Sequence, residues 1–293
     1  LTEEGTVTGL PFTLAANRAL AYQGTVVLGL GFVLHPDEAR QLITRNEKSK
    51  DVLYPYLTGQ DLTSRPDQSP SRCVINFQDW PLDQATAPEG YEGPVAADYL
   101  ECLQIVVERV KPERDKLGLK KDASAQGYAK WWWQFARRSV DLYERIRNRN
   151  EVVVSCRVSK YVAHSPCSCD IIFDVGTNVI LFDDPAQLPA LESSIYEGWV
   201  RQYGSTLETR LRYILEDCFV TFPFPERTEL LRHIGRSYYS ERRRLMLQHH
   251  EGLTDIYNRF HDRTETAADI EKLRGLHVEL DRAVAAAYGW TDL

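Results

Sequence analysis

The 293-residue chain holds one methionine (Met246), six cysteines and seven histidines, and each scarcity closes off a class of protein. Cys73, Cys102, Cys156, Cys167, Cys169 and Cys218 form no paired framework, and the first residues lack the apolar core of a secretory leader. Reduced thiols in a cytoplasmic protein are therefore expected rather than disulfides. Cys167-Ser168-Cys169, with Cys156 and His164 near it, would need a second C-x(2–4)-C pair to make a structural zinc site, and none exists. The longest apolar run, Thr25–Leu34, is broken by two glycines and is far too short to span a bilayer. No P-loop, GxSxG or HExxH occurs, and Gly29-Leu30-Gly31 has no third glycine opening a helix. The Asn-Pro-Pro-aromatic tetrapeptide of amino-methyltransferases is also missing. Its nearest counterpart, Thr221–Pro225, sets phenylalanine between the prolines and offers no amide or acid. Glu47-Lys48 and Glu271-Lys272 lack the intervening residue of a nuclease Glu-x-Lys. No catalytic residue, metal or resident cofactor is expected. A chain that starts at Leu1 with a single methionine reads as a fragment of a longer polypeptide.

What is present is a concentration of basic charge. The net charge is −7, which argues against a polyanionic partner, yet residues 104–163 carry 14 basic and 7 acidic residues. A local field of that sign decides binding more than the total does. Within it, Lys130–Ser165 sets three tryptophans, six arginines and two lysines around an apolar strand, Val152–Val154. Guanidinium groups pair with phosphate and read guanine edges, so nucleic acid is the expected partner; a solvated basic helix face is the plainer account of the same charges.

Periodicity divides the chain in two. Tyr22–Leu34 is extended and punctuated by Gly29 and Gly31, which mark a bulge or a close approach. Pro36-Asp37-Glu38 opens a helix over Glu38–Thr44, Leu57–Ser71 is a turn-rich connector, and Cys73–Phe77 is a short strand. Val95–Val110 is amphipathic, with Leu100, Leu103, Val107 and Val110 on one face, and Pro112 ends or kinks it. Lys130–Asn148 reads as a helix, Glu151–Val158 as a strand, Ile171–Phe182 as two short strands, and Pro189–Gln202 as a helix. After Pro225 only helices follow. Leu230, Ile234 and Tyr238 line one; Ile270, Leu273, His277, Leu280, Val284 and Ala287 line the last, with Thr266 and Asp269 as a capping pair and Gly289 as its stop. The expected fold is α+β: a mixed, curved sheet flanked by helices in one domain over 1–225, then a helical domain over 226–293.

The candidate contacts follow from side-chain chemistry. Trp131–Trp133 are adjacent and cannot all point one way, so Trp132 is a candidate for base stacking, with burial as the alternative. Arg137 and Arg138 are candidates for phosphate contacts. Arg157, Ser159 and Tyr161 share a face if the strand continues, and with Lys160 and His164 they make a candidate row facing base edges; pairing of Arg157 with Asp170 is the alternative. Ser205, Arg210 and Arg212 are a second candidate phosphate contact, unless Ser205 and Thr206 simply cap a helix.

Several phrases taken together carry a resemblance: GFVLHPDEARQLI, DVLYPYLTGQDLTSRPDQSPSRCVINFQDWPL, VKPERDK, WWWQFARR, SKYVAHS, GSTLETRLRY, CFVTFPFP, GLTDIYNRFHD and LHVELDRAVAAAYGW. From about Gly24 to Leu293 the chain resembles the C-terminal portion of MmeI-like (type IIL) restriction–modification polypeptides and their stand-alone adenine-N6 methyltransferase relatives. In that family a nuclease and a methyltransferase domain precede a target-recognition domain and a helical tail. The resemblance implies that this chain holds the latter two. It implies sequence-specific recognition of double-stranded DNA, presenting an adenine for flipping into the pocket of a methyltransferase domain that binds S-adenosylmethionine. Two other readings stay open: a helical scaffold that docks onto a catalytic domain with minor DNA contact, and an independent enzyme with a site around His164, Cys167 and Asp170.

Overall fold

The computed structural model describes residues 9–182, 184–207 and 210–290. Strands run over Ala21–Gln23 (β1), Val33–Leu34 (β2), Leu53–Leu57 (β3), Arg72–Ile75 (β4), Glu151–Cys156 (β5), Val158–Ser159 (β6), His164–Ser168 (β7), Ile172–Phe173 (β8), Thr177–Ile180 (β9), Ser205–Leu207 (β10) and Arg210–Arg212 (β11). Helices run over Pro36–Arg45 (α1), Gly59–Ser64 (α2), Leu100–Arg109 (α3), Lys111–Gly118 (α4), Ala123–Lys130 (α5), Val140–Ile146 (α6), Leu188–Glu192 (α7), Ser194–Tyr203 (α8), Leu215–Cys218 (α9), Glu229–His249 (α10), Leu253–His261 (α11) and Ala268–Ala287 (α12). The fold is α+β, with 48% helix and 15% strand.

The strands are divided among three open sheets. Their orders are β1-β9-β5-β7, β10-β11-β6 and β2-β4-β3-β8, and among the described residues only the β3–β8 pair of strands is parallel. The apolar strand Val152–Val154 lies inside β5, paired on both sides, and its three valines are buried. Beyond Cys156 the chain leaves that sheet: β6 pairs with β11, matching Val158 to Arg212 and Ser159 to Leu211. This change of partner carries Arg157 to the junction of two sheets.

Local chemistry explains most boundaries. Pro36 starts α1, and Asp37 and Glu38 sit in its first turn, where the helix dipole favours acids. Pro112 opens α4 rather than kinking its predecessor, so α3 ends at Arg109. The buried residues of α3 are Cys102 and Val106, continued by Val110, while Leu100 and Val107 face solvent; the expected apolar face was rotated. Leu57–Ser71 is not merely a connector. Thr58 and Asp61 form a reciprocal capping box that starts α2. Lys130–Asn148 is not one helix either, since α5 stops at Lys130 and Ser139, at φ 50°, precedes α6. Gly31 makes the close approach expected of it: a Cβ there would lie 2.5 Å from Cβ of Arg109.

After Pro225 the three helices α10, α11 and α12 pack around Leu231, Tyr238, Leu245, Ile256, Leu273, Leu280 and Val284. Ala163 and Ala186, from the sheet-bearing region, complete that cluster. Thr266 is not the cap of α12: Ala267 is, with its amide donated to Glu265 Oε1. Gly289, at φ +76°, ends the helix as expected.

Candidate nucleic-acid interface

The β6–β11 pairing and the N-terminus of α2 enclose an open cleft of about 590 Å³ whose wall includes Gly59, Gln60, Arg157, Asp174, Arg210 and Arg212. Gly59 lets α2 approach the end of β5, since a Cβ there would lie 2.7 Å from Cys156 Sγ. Arg157 is held at the backbone, its amide donating to Gly176 O at 2.8 Å and its carbonyl accepting from Tyr213 at 2.8 Å. Among the described residues, neither the Arg157 nor the Arg212 guanidinium has a hydrogen-bond or carboxylate partner. Burial lowers the Arg157 pKa from its ordinary value, and the charges of Arg212 and Arg137 add to that; Glu216 opposes them. Asp170 is not the partner of Arg157.

Asp174 is the one acid among the described residues of this wall, and its oxygens are already engaged. Tyr56 Oη donates to its Oδ2 at 2.5 Å and the Gly176 amide to its Oδ1 at 2.7 Å. Burial raises the Cys156 thiol, so the cleft's sulfur stays protonated at neutral pH. The cleft thus presents a cluster of cations of one sign. A positive local field of this kind attracts anions.

Other candidates fall elsewhere. His164 is fully buried, its Nδ1 3.1 Å from Glu192 Oε1 and its ring against Tyr196 and Tyr213, so it cannot meet a base from this position. Trp132 is 9% exposed, packed edge-on against Trp133 with Lys111 over its ring. The exposed member of the triplet is Trp131, at 46%. Lys160 Nζ and Tyr161 Oη both reach Asn258 Oδ1 on α11, at 2.7 and 2.9 Å, and Tyr161 stacks on His261. Ser159 Oγ donates to the Tyr161 carbonyl. Lys160 and Tyr161 thus bind the loop to the helical unit and Ser159 braces the loop itself, instead of forming a row with Arg157.

Arg137 is exposed but donates to Gln23 Oε1 at 2.8 Å and to Gly24 O at 3.0 Å, and Arg138 donates to Gln134 Oε1 at 3.3 Å. Ser205 opens β10 opposite Arg212 rather than capping a helix. Arg157, Arg210 and Arg212 therefore come together, with Ser205 across the hairpin and Arg137 close enough to act on Arg157. Reasoning from the sequence missed Gly59, Gln60 and Thr63 as cleft residues. The Thr58-x-x-Asp61 capping pattern was the signal that could have placed them.

Comparison with known proteins identifies the fold and the family. A DNA complex of the type IIL restriction–modification enzyme MmeI superposes with a TM-score of 0.69 at 16% identity, a likeness that establishes the fold. The alignment covers 98% of this chain and 35% of that one, so the chain spans about a third of the matched protein. The type IIG restriction endonuclease BpuSI aligns over 93% of this chain and 31% of its own, at 11% identity and a TM-score of 0.39, below the level at which a shared fold follows. No curated protein sequence matches the chain. The family model described as "MmeI, target recognition domain" matches residues 19–226. The chain therefore belongs to the MmeI target-recognition-domain family.

Proposed function

We propose that the chain is a sequence-recognition module for duplex DNA, and that the cleft at the β6–β11 junction is where it meets DNA. The observation that carries this is the convergence of Arg157, Arg210 and Arg212 on one open wall, with the Arg157 and Arg212 guanidiniums unpaired among the described residues. Family membership supports the class of partner, and the matched enzyme was solved with DNA bound. Arg157, set on backbone fixed at both its amide and its carbonyl, is the candidate for a guanine edge; Arg210 and Arg212, exposed on a hairpin, are candidates for phosphates. Chemistry on the DNA belongs to a methyltransferase domain of the same polypeptide, which binds S-adenosylmethionine and methylates adenine N6. The resemblance supports this, together with the chain's spanning about a third of the matched restriction–modification enzyme.

The test is the salt dependence of duplex binding. Each phosphate contact neutralised contributes about 0.9 to the slope of log K against log salt. Replacing Arg210 and Arg212 with alanine is expected to flatten the slope by between about one and two such contacts. An unchanged slope would place these arginines outside the interface.

A further inference from the structure

A second cavity, of about 490 Å³, shares no lining residue with the arginine cleft; its wall includes Asp79, Arg114, Gly127, Tyr128, Trp131 and Arg138. Arg114, on α4, is 1% exposed and has no carboxylate partner among the described residues. Its Nη2 donates to Val27 O at 3.0 Å and Gln134 O at 3.4 Å, its Nη1 reaches Tyr128 O at 3.5 Å, and its Nε has no partner. A buried guanidinium normally requires a paired anion, and carbonyl dipoles answer that need only in part. Arg138 brings a second guanidinium to the same wall. Gly127 lies inside α5, where glycine is unfavourable, and a Cβ there would meet nothing within 4 Å. No neighbour demands that glycine; its missing side chain leaves the cavity open.

We propose that this cavity is a phosphate-binding site, in which Arg114 and Arg138 hold the oxyanion and the ring of Trp131 flanks the group esterified to it, the Tyr128 ring being taken up by Arg114, whose guanidinium lies 5.5 Å from its centroid. A charge-assisted N–H···O bond to phosphate is strong, Nε is the Arg114 nitrogen left without a partner to make it, and the volume is that of small-ligand pockets. Asp79 on the wall favours a ligand that also carries donors, as a nucleotide unit does. The phosphate comes either from a DNA backbone, in which case the site rests on the reading of the chain as a DNA-recognition module, or from a free nucleotide.

The Nε–H resonance of Arg114 in the arginine-labelled chain reports on the site directly. Titration with inorganic phosphate, and with adenosine 5′-monophosphate, is expected to move it saturably, the nucleotide binding more tightly. Gly127→Leu, which fills the cavity, and Arg138→Gln are each expected to weaken binding about tenfold or more, the factor for one charge-assisted hydrogen bond. A resonance that does not respond, or affinities unchanged in both variants, overturns the proposal. Competition between a duplex and phosphate identifies the DNA backbone as the source; independent binding identifies a free nucleotide. Arg157→Ala in the other cleft changes duplex affinity without moving the phosphate response, so failure of the two readings is distinguishable.

Discussion

Replacing Arg242 with methionine is expected to cost more stability than any other single substitution at the seam between α10 and the sheets. Arg242 is 2% exposed, and its Nη1 lies 2.6 Å from Glu192 Oε2, a carboxylate whose side chain has no solvent access. The same guanidinium donates to Tyr257 Oη at 3.1 Å, to Ser165 Oγ at 3.2 Å and to the His164 carbonyl. Glu192 Oε1 in turn accepts the His164 amide at 2.6 Å, and Oε2 accepts Tyr257 Oη at 3.0 Å. Removing the guanidinium leaves a carboxylate in a low-dielectric site without its main charge partner, a loss of about 3–5 kcal/mol. Methionine fills most of the volume, so the cavity contribution is small. Urea unfolding followed by far-ultraviolet circular dichroism measures the loss. Adding Glu192→Leu to Arg242→Met is expected to restore part of it, because no buried charge remains, while the His164 amide stays without its acceptor. A loss below about 1 kcal/mol for the single variant, or strict additivity of the two, would refute the reasoning.

Acid should weaken the same seam. Although burial alone would raise it, Glu192 is held down at about 2 from an ordinary 4.5, by Arg242 first and then by His164. Its contribution is therefore full above about pH 4.5 and is lost as pH falls toward 2, amounting to about 3 kcal/mol; stability flat across that window would contradict it. Among the tryptophans, Trp133→Ala should cost about 3–5 kcal/mol by unfolding and Trp131→Ala less than about 1 kcal/mol, since Trp133 is 5% exposed and Trp131 46%. Similar losses would show that the triplet is oriented differently. Gly24→Ala should cost at least about 1–3 kcal/mol, because the new methyl would sit 2.1 Å from the Asp174 carbonyl oxygen; a neutral effect in thermal melts would show that the backbones separate easily there.

The helices after Pro225 were legible because their apolar positions repeat at helical spacing, the strand Val152–Val154 because a short β-branched run favours strand, and the α+β class because both kinds of segment occur. The tryptophan segment was not. Its residues favour helix locally, yet Arg114, Trp80 and Val26 take its backbone or side-chain groups as partners, and no local signal announces contacts so distant in sequence. His164 looked like an accessible donor beside a basic strand, but it opens β7 opposite Ser155 of β5 and faces Glu192, which a reading of neighbours along the chain cannot show. The α3 face was misread because Cys102 was left out of the apolar count and adjacent valines, Val106 and Val107, cannot be told apart by type; the buried face is Cys102, Val106 and Val110. Arg157 and Arg212 were singled out separately; only the register that sets Val158 opposite Arg212 joins them.

The central claim is tested most directly by selecting bound duplexes from a randomised pool with the chain and with its Arg157→Ala variant, side by side. The account predicts an enriched sequence for the unmodified chain and loss of preference at one base position in the variant, the discrimination of a bidentate arginine–guanine contact being about 1–3 kcal/mol. Enrichment of the same sequence by both, with every position equally preferred, would contradict it.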